Sequence, residues 1–480
     1  IEDTDEKRKV DGAVETIINV LRYFDIEFDE GAGFDDTDPR NAYGPYFQRQ
    51  RVEIYHTYAK SLVERGLAYP CFCTEEELDK VRAKQEEDKV LTGYYGEYAA
   101  CRNLSYEEVE ANIKAGKPYV LRLRSQGNPD KEITFVDAIK GEIKLPENIH
   151  DIVLLKKDGI PTYHFAHAID DHLMRTTTVV RGGEWLASAP IHYELFHLLG
   201  FKMPAYAHTA HLMKFDEETG GKRKLSKRKD PELSLDYYRK DGYHPYTMKV
   251  YLLTLLNSNF EEWHEKFPDK DINEFPFSVE KMNQSGALFD KDKLHNICKN
   301  ELSKLSEEEL YDFLYDWAKE NEPENVEKWF GDREKMLQIL RLYMGVGAKR
   351  RRKDLMYAKQ IFNMISYFFD EESTDEKDEF RLDMSEVKNI LNDYMAAYNH
   401  DDDNSAWFNK LKEIADKHGY ASDMKAYKAS PESFKGNVSD IAEVVRIAVT
   451  GRANTPDLWS IVHIMGEEQM KQRIEKVINR

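Results

Sequence analysis

Cysteine is scarce, with four in 480 residues, and so few thiols cannot build a disulfide framework. Two of them stand as Cys71-Phe72-Cys73, a spacing that suits metal ligation or chance better than bridging. That usage fits a reducing, cytoplasmic setting. Long apolar runs are missing, and nothing approaches the ~20 residues a membrane crossing needs. A secretory leader is missing too, because the chain opens Ile1-Glu2-Asp3-Thr4-Asp5, charged at once. The lack of an initiator methionine reads as a start inside a longer gene. Positive charge is also short: 69 Lys and Arg against 89 Asp and Glu leave a net charge of −20. This excludes coating nucleic acid through bulk electrostatics and confines any such contact to local patches.

What is present suits a multidomain globular protein. At about 150 residues per domain the length allows roughly three domains, and 41% hydrophobic residues supply packed cores. Val14, Ile17, Ile18 and Leu21 repeat at helical spacing, as do Val52, Tyr55, Ala59, Leu62 and Val63, a helix expected to stop at Gly66. Gly31 to Pro45 reads as loop. Tyr119–Arg124, Ile133–Val136 and Ile152–Leu155 carry strand propensity, the last running into a turn at Lys157-Asp158-Gly159. Residues 71–160 read as a separate inserted unit. Helical periodicity returns near Ser188, and from about residue 300 only amphipathic helices are expected. Asp370–Glu379 and Asp401–Asp403 read as solvated acidic connectors.

Two segments concentrate chemistry. Gly221-Lys222-Arg223-Lys224-Leu225-Ser226-Lys227-Arg228-Lys229 places six cations in nine residues. Such a run either holds a polyanion such as triphosphate, with ammonium groups on phosphate oxygens, or is a solvated basic loop. The second runs Pro161-Thr162-Tyr163-His164-Phe165-Ala166-His167-Ala168-Ile169-Asp170-Asp171-His172 and continues through Thr176–Val180 to Arg181-Gly182-Gly183-Glu184-Trp185. That composition suits a strand delivering polar groups to a pocket. The histidines lack a repeated ligand spacing, so hydrogen bonding or core packing is favoured over metal.

Together these segments resemble the bacterial-type glutamyl-tRNA synthetases, of the first structural class of aminoacyl-tRNA synthetases. Ile1–Asp5 matches the family's IEDTD, Pro161–His164 its PTYH, Asp170–Met174 its DDHLM, Arg181–Trp185 its RGEEW with one change, and Lys224–Arg228 its form of the KMSKS signature. Ala448-Val449-Thr450-Gly451-Arg452 is similar to its ALTGR stretch. The resemblance implies an α/β fold: a Rossmann-like catalytic core, N-terminally truncated, with an inserted α/β domain, followed by an all-α anticodon-binding region. The implied segments are 1–70 and 161–220 for the core, 71–160 for an acceptor-stem-binding insert, 221–305 for the signature loop and stem contacts, and 306–480 for anticodon binding.

The implied activity is ATP-dependent attachment of L-glutamate to tRNA(Glu) through a glutamyl-adenylate, with tRNA required for adenylate formation and magnesium carried on the ATP phosphates. Because the attacking carboxylate is already an anion, the protein's work is positioning and charge neutralisation. By resemblance, Lys224 and Lys227 gather the leaving pyrophosphate, and Glu184, Leu212 (through its backbone), Ser226 and Arg228 lie on the ATP side. Glu2 takes the substrate ammonium and Arg181 a carboxylate, with Tyr163 and His167 beside them. His167 stands where the family often has asparagine, and Gly183 replaces a usual acid. The family's HIGH signature lies upstream of IEDTD, so the chain without it is expected to be inactive.

Some family members bind zinc with Cys-x-Cys and a later Cys-x-His. Cys71, Cys73 and Cys101 fit three of those places, but position 103 is asparagine. Tyr94, Tyr95 or Tyr98 is available as a fourth ligand, and reduced core thiols are the alternative. Cys298 reads as buried packing. Arg350, Arg351 and Arg352, within Lys349–Lys353, are expected to open a helix bearing Tyr357, Ile361 and Phe362 and to meet tRNA phosphates, or else to form a solvated face. A cytoplasmic monomer is implied, with tRNA(Gln) a further possible substrate. The competing readings are a glutaminyl-tRNA synthetase, disfavoured by the all-helical end, and a catalytically dead tRNA-binding or regulatory paralogue.

Overall fold

The computed structural model describes residues 1–480 except 5–9, 36, 217, 227, 228, 285, 370–377 and 480. Asp5, Lys227, Arg228 and most of the 370–379 connector therefore lie outside the described residues. The strands in chain order are β1 (Ala68–Cys71), β2 (Val120–Leu123), β3 (Glu132–Asp137), β4 (Gly141–Pro146), β5 (Val153–Leu155), β6 (Thr178–Gly182), β7 (Ala205–Thr209), β8 (Leu212–Phe215), β9 (Lys222–Lys224) and β10 (Ala287–Leu288). The chain divides into two compact units, one of Ile1–Leu233 with Leu252–Asp290 and one of Ser234–Tyr251 with Lys291–Arg480.

The first unit holds three sheets, ordered β1-β2-β5, β4-β3-β7-β6 and β10-β8-β9. β6 and β7 are parallel, with Arg181 opposite His208, and a crossover helix, Ala189–Leu199, joins them as parallel neighbours require. Gly200, at φ 76°, ends that helix in the left-handed conformation glycine takes without strain. The helix Tyr163–Leu173 buries Phe165, Ala166, Ala168 and Ile169 completely. They pack with Tyr55 and Leu62 of the helix Val52–Glu64 and with Leu195 and Phe196 of the crossover helix. Each fully buried large apolar side chain there contributes about 1.5–3 kcal/mol.

Part of the insert shares a sheet with the rest of this unit. β3 and β4 form a hairpin, and the end of β3 pairs in parallel with β7 at Asp137 and Tyr206. Residues 132–146 thus share a sheet with β6 and β7, whereas β2 and β5 pair in the sheet of β1, and residues 221–305 are divided between the two units.

In the second unit the described residues from Lys291 onward form helices, from Lys291–Leu302 to Glu467–Ile478, with no strand among them. Capping boxes at Ser306 with Glu309 and at Asn437 with Asp440 start two of the helices. Trp317 and Trp329 both stack on Phe362 in the core, and Cys298 is fully buried. Arg350–Arg352 do not open a helix: the next one begins at Ala358, with Tyr357 as its N-cap. No helix among the described residues is long and apolar enough to cross a membrane.

Candidate active site

The opening segment is docked by its backbone. Gln48 N–H donates to the Ile1 carbonyl at 3.1 Å, Arg49 N–H to Asp3 Oδ1 at 3.0 Å and Arg49 Nε to the Asp3 carbonyl at 2.8 Å, and Lys156 Nζ to the Thr4 carbonyl. Thr4 is buried while Glu2 stays exposed, close enough to Tyr163 for its charge to act on that phenol. The loop beneath is clamped by Asp170, which accepts from Arg51 Nε and Tyr55 Oη, each at 2.8 Å.

Arg181, delivered by β6, is the centre of the pocket. Its Nε donates to His208 Nε2 at 3.0 Å, one terminal nitrogen lies 3.0 Å from His192 Nδ1, and the other donates to the Trp185 carbonyl at 3.3 Å. The guanidinium carbon sits 4.4 Å over the Tyr206 ring. Tyr163, also 4.4 Å from the Trp185 ring, closes one side. Burial holds His164 down to about 4 and pushes His192 and His208 below the ordinary imidazole value, so neutral imidazoles surround the arginine.

His167 does not reach into this pocket with a free nitrogen. Its Nε2 is 2.8 Å from Tyr206 Oη and its Nδ1 is 2.9 Å from Asp171 Oδ2, and its ring stacks on Tyr163. It backs the tyrosine from the side of Tyr206 and Asp171. At Gly183, a Cβ would meet the Thr209 carbonyl at 3.1 Å, so the missing acid leaves that approach relaxed.

Lys222–Lys224 of the basic run form β9, paired antiparallel with β8, and the described cations around this hairpin are not equivalent. Arg223 grips buried Asp230 with two bonds of 2.7 Å, Lys214 adds a second cation at 3.1 Å, and Ser226 N–H donates to the same carboxylate at 2.8 Å. Those hydrogen bonds, Arg223 foremost, hold the Asp230 carboxyl well below the usual carboxylate range. Lys224 is left 52% exposed, 4.0 Å from Glu184. Leu212 spends its carbonyl on Leu225 N–H, at 3.0 Å. Lys227 and Arg228 are outside the described residues.

The three sulfurs of Cys71, Cys73 and Cys101 lie within 4.8 Å of one another, and Tyr94 Oη is 3.3 Å from both Cys71 and Cys73. In the second unit, exposed Arg350–Arg352 precede a polar cavity of about 270 Å³ lined by Arg352, Arg452 and Thr455. That cavity brings the arginine run and the ALTGR-like stretch together. Sequence reasoning missed Asp137 and His208, which reach Arg181 through the β3–β7 pairing, and His192. The sequence signal available for His208 was its alternation with buried Tyr206 on one strand.

Residues 1–296 match the model of the class I tRNA synthetases (E and Q) catalytic domain, and residues 323–478 that of an anticodon binding domain. The chain is 53% identical to the glutamate–tRNA ligase of Acetivibrio thermocellus over 100% of its own length and 87% of the relative's. It is 45% identical to that of Clostridium perfringens, again over 100% and 87%. The crystal structure of a glutamate tRNA ligase from Elizabethkingia meningosepticum in complex with its amino acid superposes with a TM-score of 0.73 at 27% identity, covering 100% of this chain and 91% of that one. With the arginine pocket, the cationic hairpin and the helical second unit in place, the chain belongs to the glutamate–tRNA ligases, class I aminoacyl-tRNA synthetases.

Proposed function

We propose that this chain joins L-glutamate to tRNA(Glu) in the cytoplasm for translation. The α-carboxylate of glutamate attacks the α-phosphorus of magnesium-bound ATP and expels pyrophosphate; the terminal ribose hydroxyl of the tRNA then attacks the adenylate carbonyl and releases AMP. The observation that carries this reading is Arg181, a guanidinium whose side-chain partners, two imidazoles and the Tyr163 phenol, are uncharged, so its charge remains available to a substrate carboxylate. Glu2, exposed beside Tyr163, supplies the opposite charge for the ammonium group. Lys224, with Lys227, draws charge from the departing pyrophosphate, and Glu184, Leu212, Ser226 and Arg228 border the nucleotide. Arg350, Arg351 and Arg352 meet tRNA phosphates, and the cavity at Arg352 and Arg452 admits an unstacked base.

Charging assays on the full-length protein with purified tRNA(Glu) and tRNA(Gln) test the reading. Glutamyl ester on tRNA(Glu) is the expected product, and ester on tRNA(Gln) as well would widen the substrate range. Binding of tRNA without any ester would select the regulatory paralogue, and glutaminyl ester would select the glutaminyl enzyme.

The insert's thiols fit a structural zinc. Cys71, Cys73 and Cys101, with Tyr94 as fourth donor, would hold the ion, whose role is to tie β1 to the loop bearing Cys101. Metal analysis of purified protein is expected to find about one zinc per chain, lost together with thermal stability in Cys101→Ser. Protein loaded with zinc-containing buffer that retains none after dialysis would mean plain core thiols.

A further inference from the structure

We propose that Asp137 and His208 are positioning residues for Arg181, so that a residue of the inserted segment aims the guanidinium at the amino acid. This rests on the reading of Arg181 as the grip on a substrate carboxylate, and it names what sets that grip.

Arginine has donors only. Each imidazole nitrogen facing it must therefore present a lone pair, which fixes the tautomers from the hydrogen-bond network. His208 meets Arg181 Nε through Nε2 at 3.0 Å, so its proton is on Nδ1, which donates to Asp137 Oδ2 at 2.6 Å. His192 meets Arg181 through Nδ1 at 3.0 Å, and its Nε2–H donates to His164 Nδ1 at 2.9 Å.

Asp137 is itself held immobile. It accepts the N–H groups of Ile139 at 3.0 Å, Lys140 at 2.9 Å and His208 at 3.1 Å. Asp137 is 1% exposed and His208 0%. An acid in that setting accepts but never donates, so His208 cannot turn its proton toward the arginine.

Of the five N–H groups of Arg181, three are engaged by His208, His192 and the Trp185 carbonyl. The remaining terminal N–H groups serve Tyr163, which also hydrogen-bonds the guanidinium, and the substrate carboxylate. The side-chain groups touching the guanidinium edge are uncharged, and the nearest anion, Asp137, is one imidazole ring away. The arginine is thus fixed in direction without being neutralised. The hairpin of β3 and β4 delivers this acid at the point where Asp137 pairs with Tyr206, which gives the insert a direct line to the amino-acid pocket.

The test is steady-state charging of tRNA(Glu) by the full-length protein with Asp137→Asn, His208→Ala, His208→Gln and Arg181→Lys. An asparagine at 137 donates to His208 Nδ1 and flips the tautomer, setting N–H against N–H at the arginine. Asp137→Asn and His208→Ala are expected to raise KM for glutamate by about 10-fold or more, with kcat and KM for ATP changed less than about threefold. His208→Gln, whose amide oxygen restores an acceptor, is expected to recover most of the loss seen in His208→Ala. Three results overturn the inference: an unchanged KM for glutamate in both loss variants, equal rises in KM for glutamate and ATP, or His208→Gln no better than His208→Ala. Arg181→Lys separates the two levels. If it leaves KM for glutamate unchanged, the reading of Arg181 itself falls. If it raises that KM while Asp137→Asn does not, only the positioning role falls.

Discussion

Alanine at both Lys224 and Lys227 is expected to lower kcat for glutamate-dependent pyrophosphate exchange by about 100- to 1,000-fold, with KM for glutamate moved less than about threefold. The expectation comes from how the hairpin divides its charge. Arg223 and Lys214 are held by Asp230 and serve the fold, whereas Lys224 is half exposed and stands 4.0 Å from Glu184. A cation in that position stabilises charge that develops on the leaving group more than charge already present in ATP, so its loss falls on kcat. The proposed reading gives Lys227 the same role, through the signature it completes with Lys224. Stopped-flow or exchange kinetics that put kcat within about threefold of wild type would remove the pair from the chemistry.

Asp170→Ala is expected to destabilise the first unit by about 3–5 kcal/mol, because it strands a buried arginine. Arg51 has a side chain only 4% exposed and meets Asp170 at 2.8 Å; its other bonds go to the carbonyls of Tyr43 and Pro45. Tyr55, fully buried, loses its acceptor in the same substitution. Denaturant melts read the effect directly, and a loss below about 1 kcal/mol would mean that water or another group takes over the Arg51 charge. Because Gln48 and Arg49 dock the opening segment beside this clamp, a second consequence is weaker glutamate binding through displaced Glu2.

Much of this was legible in the sequence where the pattern is local. The helix Val52–Glu64 follows its apolar repeat and gives way near Gly66, whose φ is 69°, and the β-branched residues before Arg181 form β6 as their propensity dictates. Tyr163 is within reach of the charges of Arg181 and Glu2, and Lys224 is 4.0 Å from Glu184. The helix Tyr163–Leu173 was hidden because histidines and acids interrupt its apolar face, and those polar groups find partners only in the folded pocket. Asp137 was hidden for a stronger reason: its partner His208 lies 71 residues away along the chain, joined by a strand pairing that no periodicity announces.

The run Lys349–Lys353 failed as a helix start on physical grounds available beforehand. Five like charges in one turn and a half repel one another, and Gly345 and Gly347, at φ 65° and 82°, break the chain just before them. The inequality within the Lys222–Lys229 run was also readable, since Asp216 and Asp230 bracket it and each takes a bond from Arg223. Counting cations without their adjacent acids overstated the charge free for phosphate.

The most direct measurement follows labelled pyrophosphate into ATP on the full-length protein, with glutamate or glutamine, in the presence and absence of tRNA(Glu). Exchange that requires both glutamate and the tRNA is the expected result. Exchange supported equally well by glutamine, or indifferent to the amino acid supplied, would contradict a pocket built around an uncompensated Arg181.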